Sequence, residues 1–374
     1  MKKKRILFLM SDTGGGHRAS ANAIAEAIHH LYPDQYETII NDIWKQHTPW
    51  PFNKLPDTYP WLSGSGQAVW RLMWLASKRK NGDFLFSAVA PIISRRIIRY
   101  LQTIQPDLII SVHPLMNHLG LEWVEKAQLD IPFVTVVTDM VTLHPYWICP
   151  DVTRCIVSTD PAYEHALRFG MPPEKLSIHG QPVDMKFSQL TGEKIVLREK
   201  LGLNTTQRTI LLVGGGEGTG RVYDIARELA QSAPDAQLMI VAGRNQKLKS
   251  RLENTAWEIP TTVFGFVNNM PELMGAADVL ITKAGPGTIS EAFIAGLPPL
   301  LSGYIPGQEA GNVTYVQEHG AGTYAKKPQD IASIVREWLD PANQTLQQMK
   351  DNAARLARPT ASLDIAADVC SLLA

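Results

Sequence analysis

Short, unbroken apolar runs recur along the chain. Each ends in glycine or a polar cluster and is followed by a stretch with helical spacing. "RILFLM" (5–10) comes first, then a glycine turn, then a helical pattern from His17 to Leu31. "YETIINDI" (36–43), "PDLIISVHP" (106–114), "IPFVTVVTD" (131–139) and "TRCIVST" (153–159) read as further strands, with a helix from Pro161 to Phe169. Strands apolar on both faces and alternating with helices predict a parallel sheet covered on each side. The grammar restarts near residue 209 with "TILLVGGGEGTG" and its helix "RVYDIARELAQSA". "AQLMIVAGR", "TTVFGFV", "ADVLITKAG" and "PPLLSGY" then supply strands, "TISEAFIAG" a helix, and Gln344–Leu373 a helical run.

The predicted fold class is therefore α/β, with two Rossmann-like halves that each open on a glycine-rich loop. A length of 374 residues suits two such domains. The boundaries fall at 1–186 and 187–359, joined through the polar, proline- and glycine-bearing stretch 180–194, and the helix 360–374 is expected to pack back on the first half. One segment departs from the alternation. Residues 44–101 contain no convincing parallel strand but five of the nine tryptophans, Trp44, Trp50, Trp61, Trp70 and Trp74. Within 69–101 seven Lys/Arg face one acid, Asp83.

Charge sharpens this asymmetry. The formal net charge is zero, so no global field points to nucleic acid, and basic surface must be local. Cys149, Cys155 and Cys370 are too few and too scattered for a disulfide framework or a zinc site, and reduced structural thiols in a cytosolic protein are expected. The apolar stretch Ile6–Met10 is too short for a signal peptide. No window reaches the roughly eighteen apolar residues of a membrane span, so the protein is expected to be soluble or to sit on a membrane surface.

The glycine loops carry the first candidate chemistry. Glycine lets a backbone approach an anion, and a following helix N-terminus offers unpaired N–H groups. "GGGEGTG" (214–220) suits a diphosphate, and Gly14, Gly16 and Ala19 fit G-x-G-x-x-A. A tight strand-to-helix turn also needs glycine for packing alone, and Asp42 stands somewhat far along for a dinucleotide ribose. In "ITKAGPGTISEA" (281–292), Gly287 and Thr288 lie at a helix start, and Glu291 is expected in its first turn, either binding ribose hydroxyls or complementing the dipole. Gln308 and Glu309 in "YIPGQEAGN" form a donor–acceptor pair suited to sugar hydroxyls, or a solvated loop.

"SDTGGGHRASANAI", "SVHPL", "VTDMVTLHPYW", "GGGEGTG", "TKAGPGTISEA" and "GQEAGNV" together resemble the monogalactosyldiacylglycerol synthase family, with its related processive diacylglycerol glucosyltransferases. More distantly they are similar to the lipid I N-acetylglucosaminyltransferase. The similarity runs nearly the full length, in order. It implies a GT-B fold with two Rossmann-like domains facing across a cleft and a Trp- and basic-rich insert in the N-terminal one. It also implies an inverting transfer of a hexose from a UDP-sugar to 1,2-diacylglycerol at the membrane surface, giving a β-glycoside. Galactose is favoured and glucose possible.

The resemblance also assigns residues. His17 is general base or partner to the developing charge, and Asp139 is the base itself or the group orienting His17. Gly15 and Gly16 face the acceptor, with His113, Pro114, His144 and Trp147 bordering it. On the donor side Gly215, Gly216, Gly218 and Thr219 lie near the diphosphate. Phe264 and Phe266 flank uracil, Glu291 binds ribose, and Gln308 and Glu309 hold the hexose, with Gly287 and Thr288 nearby. No D-x-D pair occurs, so no metal or other cofactor is expected. Trp61, Trp70, Trp74, Lys78, Arg79, Lys80, Arg95 and Arg96 are expected to meet a membrane containing an anionic lipid such as phosphatidylglycerol, although "APIISRRIIRYL" also reads as a helix whose apolar side is core. The expected location is cytoplasmic, on the inner face of the cell membrane. Other readings stay open: a soluble UDP-sugar epimerase of the same fold, a nucleotide-sugar-binding regulator, or transfer to a polyprenyl-linked acceptor.

Overall fold

The structure, a computed structural model, describes residues 3–13, 15–58, 66, 69, 83–190, 192–233 and 235–373, leaving aside the side chains of 55 and 83–92. The chain divides into two compact units. The first comprises Met1–Met185, Pro306–Gln308 and Thr360–Ala374; the second comprises Lys186–Ile305 and Glu309–Pro359.

Each unit is built on a six-stranded sheet, parallel throughout. In the first, β1 (Lys4–Met10), β2 (Tyr36–Asp42), β3 (Leu108–Ser111), β4 (Phe133–Val136), β5 (Arg154–Val157) and β6 (Leu176–Ile178) lie in the order β2-β1-β3-β4-β5-β6. In the second, β7 (Arg208–Val213), β8 (Ala236–Val241), β9 (Thr261–Phe264), β10 (Val279–Lys283), β11 (Pro299–Gly303) and β12 (Thr323–Tyr324) lie in the order β12-β11-β10-β7-β8-β9. Both orders reverse direction beside the first strand of the half, which is where open parallel sheets bind ligands. β6 and β12 lack the apolar run that marks the other strands; they are edge strands of three and two residues.

Register aligns the carboxyl ends of the central strands. Leu9 pairs with Ser111, and Ser111 with Thr135, so the loops after β1, β3 and β4 emerge side by side. In the second sheet Val213 pairs with Val241, and Ile281 with Leu212, which gathers the loops after β7, β8 and β10. The strands hold this register because both faces are covered. Ile6, Phe8 and Met10 pack on one side with Ile24 and Ile28, while Leu7 and Leu9 pack on the other with Ile97, Trp123 and Phe133. Burying each such side chain contributes about 1.5–3 kcal/mol.

The C-terminal run is two helices. Thr345–Leu356 ends before "ARPT", because proline cannot continue the hydrogen-bond ladder, and Ala361–Ser371 begins after it. Ile365, Ala366, Val369 and Cys370 of the last helix pack with Ala21, Ile24 and Ile28 of the helix Gly16–Leu31. In the helix Asp83–Ile104, Ile93, Ile97 and Leu101 are buried while Arg95, Arg96 and Arg99 are exposed. Trp61, Trp70, Trp74, Lys78, Arg79 and Lys80 lie outside the described residues. No helix among the described residues is long and apolar enough to cross a membrane.

Candidate active site

At the carboxyl edge of the first sheet, three adjacent loops converge on His17. The loop after β1 leads through Gly15 into the helix Gly16–Leu31 and sets His17 in its first turn. The Nδ1 atom of His17 lies 2.8 Å from the Val112 carbonyl oxygen, beyond β3, and 3.1 Å from Thr138 Oγ1, beyond β4. A carbonyl only accepts, so Nδ1 carries the proton and Nε2 of the neutral ring keeps its lone pair. Burial lowers the His17 pKa to about 4, opposed by the backbone bond to Val112 and the charge of Asp12. The ring is therefore neutral at physiological pH.

The neighbours are ordered in the same way. Nδ1 of His113 accepts the Leu115 N–H at 3.3 Å, so its Nε2 donates to Thr13 Oγ1 at 3.0 Å. The rings of His17 and His113 stand 4.6 Å apart, and burial together with that neighbour holds His113 well below its usual pKa. Pro114 opens the short 3-10 turn that follows. Arg18 donates to both oxygens of Asp12, at 2.7 and 2.8 Å, which braces the turn before the helix.

Asp139 lies beyond β4. It is 5% exposed; Trp147 donates its indole Nε1–H to Oδ2 at 2.7 Å, and Gln308 donates Nε2–H to Oδ1 at 3.0 Å. Trp147 is fully buried and forms a floor beneath Asp139, its ring 6.2 Å from that of His17; His144 is 4% exposed, with its Nδ1 accepting the Tyr146 N–H. Asn117, which the sequence reading missed, clamps that floor. Its amide donates to the carbonyls of Tyr146 and Trp147 and accepts from Thr135. Thr138 was also missed, because only strand register brings it to His17.

In the second unit the loop after β7 is tightly folded. Gly215, Gly218 and Gly220 have φ of 70, 57 and 95°. A Cβ on Gly218 would stand 2.0 Å from the Ala242 carbonyl oxygen, so this glycine is required by packing as well as by backbone angle. The amides of Gly218 and Thr219 donate within the loop, to Gly215 and Gly214. They are thus not the free donors expected from the sequence. Cationic side chains stand there instead. A Cβ on Gly215 would touch Lys283 at 3.2 Å, and one on Gly216 would meet Arg244 at 3.4 Å. Arg244 donates to Glu217 at 2.8 Å and lies 4.3 Å over the ring of Phe266, which is 53% exposed. Phe264 ends β9, and its carbonyl accepts the Ala242 N–H.

The next loops depart from expectation in two places. Proline starts the helix at Pro286, with Gly285 as its uncapped N-cap, so Gly287 and Thr288 occupy the first turn and Glu291 falls in the second. Glu291 is therefore too far along to complement the helix start. Gln308 and Glu309 turn to different partners. Gln308 packs with the first unit on Asp139, whereas Glu309 is a buried N-cap whose Oε2 accepts the Ile305 N–H at 2.7 Å. Among the described residues no cluster of His, Cys, Asp and Glu is arranged to hold a metal ion.

Comparison with known proteins fits this geometry. The profile of monogalactosyldiacylglycerol (MGDG) synthase matches residues 17–183, and that of the glycosyltransferase family 28 C-terminal domain matches 209–365. The probable monogalactosyldiacylglycerol synthase, chloroplastic, of Nicotiana tabacum is 45% identical over 380 residues, covering 99% of this chain and 71% of its own. Monogalactosyldiacylglycerol synthase 1, chloroplastic, of Arabidopsis thaliana is 44% identical, covering 100% of this chain and 72% of its own. Both are named chloroplastic, which overturns the expectation of a cytoplasmic enzyme on the inner face of the cell membrane. Among solved structures, MurG of Acinetobacter baumannii matches with a TM-score of 0.64 at 16% identity, over 98% of this chain and 99% of that one. HepE of Anabaena, crystallised with UDP-glucose, matches with a TM-score of 0.60 at 16% identity, over 98% and 99%. Those two speak for the fold alone. With near-complete coverage by relatives at 44–45% identity, the chain belongs to the monogalactosyldiacylglycerol synthase family and is a glycosyltransferase of the GT-B fold.

Proposed function

We propose that the chain transfers galactose from UDP-galactose to the free hydroxyl of 1,2-diacylglycerol, with inversion, to form a β-linked monogalactosyldiacylglycerol at a membrane surface. The observation that carries this reading is His17. Its Nδ1 proton is pinned on the Val112 carbonyl, so Nε2 is left as a base. In the reaction Nε2 takes the hydroxyl proton as the acceptor oxygen bonds to the anomeric carbon. The bond from that carbon to the diphosphate oxygen breaks, and UDP leaves with the electron pair. Asp12, whose charge acts on His17, favours the imidazolium, while Asp139 is fixed by Trp147 and Gln308.

The glycine loop, with Lys283 and Arg244 beside it, supports a diphosphate site whose charge is met by side chains, and the absence of any D-x-D pair supports metal-independent transfer. Galactose is preferred because relatives at 44–45% identity are named for a galactolipid. The exposed Arg95 and Arg96 support contact with an anionic lipid such as phosphatidylglycerol.

The test is to incubate the purified protein with diacylglycerol vesicles, with and without phosphatidylglycerol, and with UDP-galactose or UDP-glucose, then to separate the lipid products. A β-galactolipid, resolved by proton NMR and formed equally in EDTA, is the expected result. Product from UDP-glucose alone would overturn the choice of sugar, and an α-linkage would overturn inversion. A UDP-sugar altered without lipid would make the chain an epimerase.

A further inference from the structure

Arg244 is paired and held in a way that meeting diphosphate charge does not by itself explain. Its backbone N–H donates to the Gly216 carbonyl at 2.9 Å, which fixes the residue against the glycine loop. Its guanidinium carbon lies 4.3 Å over the exposed ring of Phe266, and the group pairs with Glu217, an acid carried by the glycine loop itself. Both side chains of the pair are accessible, Arg244 at 49% and Glu217 at 29%. An exposed pair of this kind adds little to stability. An acid on the proposed diphosphate loop also opposes that ligand. Gly243, with φ of 60°, explains the close approach: a Cβ there would stand 2.5 Å from the carbonyl oxygens of Gly215 and Gly216. The chain therefore uses a glycine to bring Arg244 up to the loop, then covers its charge with Glu217.

We propose that Arg244 is the residue that positions the nucleotide diphosphate, and that Glu217 is its resting counter-ion, exchanged for the diphosphate when the donor binds. This rests on the UDP-sugar reading above. The planar guanidinium donates in parallel to two phosphate oxygens while keeping its face on Phe266, which a lysine ammonium cannot do. Glu217 then turns to solvent.

The measurement is UDP binding by titration calorimetry, together with kcat and KM for the sugar donor. Arg244→Ala should weaken UDP about ten- to hundredfold, the range for hydrogen bonds to a charged group. Arg244→Lys should recover only part of that, and the loss should fall mainly on KM. Glu217→Gln should tighten UDP about two- to fivefold, because an exposed pair no longer has to break. In the Arg244→Ala background the Glu217→Gln gain should vanish. A shift of the same sign in both single variants, or a Glu217→Gln gain that persists without Arg244, overturns the exchange. If the unaltered protein binds UDP and Arg244→Ala binds it equally well, the assignment of Arg244 alone is overturned. If the unaltered protein does not bind UDP at all, the donor reading falls with it.

Discussion

His17 stays neutral because it is packed, and its proton sits on Nδ1 because a carbonyl leaves no alternative. His17→Ala is expected to lower kcat by about 10²- to 10⁴-fold, the usual range for general acid–base catalysis, with UDP affinity unchanged. Steady-state kinetics beside a UDP titration separate the two effects. The depressed pKa also fixes the sign of a pH effect. Between pH 6.5 and about 4 the unfolded chain binds a proton that folded His17 refuses, so its contribution to stability is intact above 6.5 and falls as pH drops towards 4. Denaturant unfolding at pH 7.5 and pH 5 should show a smaller loss for His17→Gln than for the unaltered protein. Likewise, kcat/KM should hold through pH 6.5 and bend only near 4. Trp147→Phe keeps the apolar volume but removes the indole donor to Asp139. A loss of about 1–3 kcal/mol is expected in thermal unfolding, as for a buried acceptor deprived of a bond.

The elements were legible where burial alone decides them, and much of the site was not. "RILFLM" and "TILLV" announce central strands because both faces are apolar, and the helices after them follow from spacing. β6 and β12 carry no such signal at two or three residues. That the sequence positions of His17, His113 and Asp139 lie at strand ends could be read. That the Val112 carbonyl and Thr138 hold the imidazole could not, since register sets it. Glu291 fell a turn later than expected because Pro286, rather than Thr288, opens the helix. Glycines divide in the same physical way. Gly218→Ala forces a Cβ to 2.0 Å from a carbonyl at positive φ, and a loss of at least about 1–3 kcal/mol is expected in melting experiments. A Cβ on Gly287 meets nothing within 4 Å. Gly287→Ala should therefore leave melting unchanged or slightly raised.

Across the molecule, a neutral chain concentrates its cations locally. Arg95 and Arg96 face solvent on a helix whose other side is core, so reversing their charge should spare the fold. At about 1 kcal/mol per basic residue near an anionic surface, Arg95→Glu with Arg96→Glu should weaken sedimentation with phosphatidylglycerol vesicles by tenfold or more. Circular dichroism should stay unchanged. The helix that carries His17 leans on Ala361–Ser371, with the whole second unit lying between them in sequence. During synthesis the turn that holds His17 thus leaves the ribosome well before its partner helix and keeps a bare apolar flank until Ala361–Ser371 emerges. A nascent chain stalled before Thr360 would be a substrate for chaperones rather than an enzyme.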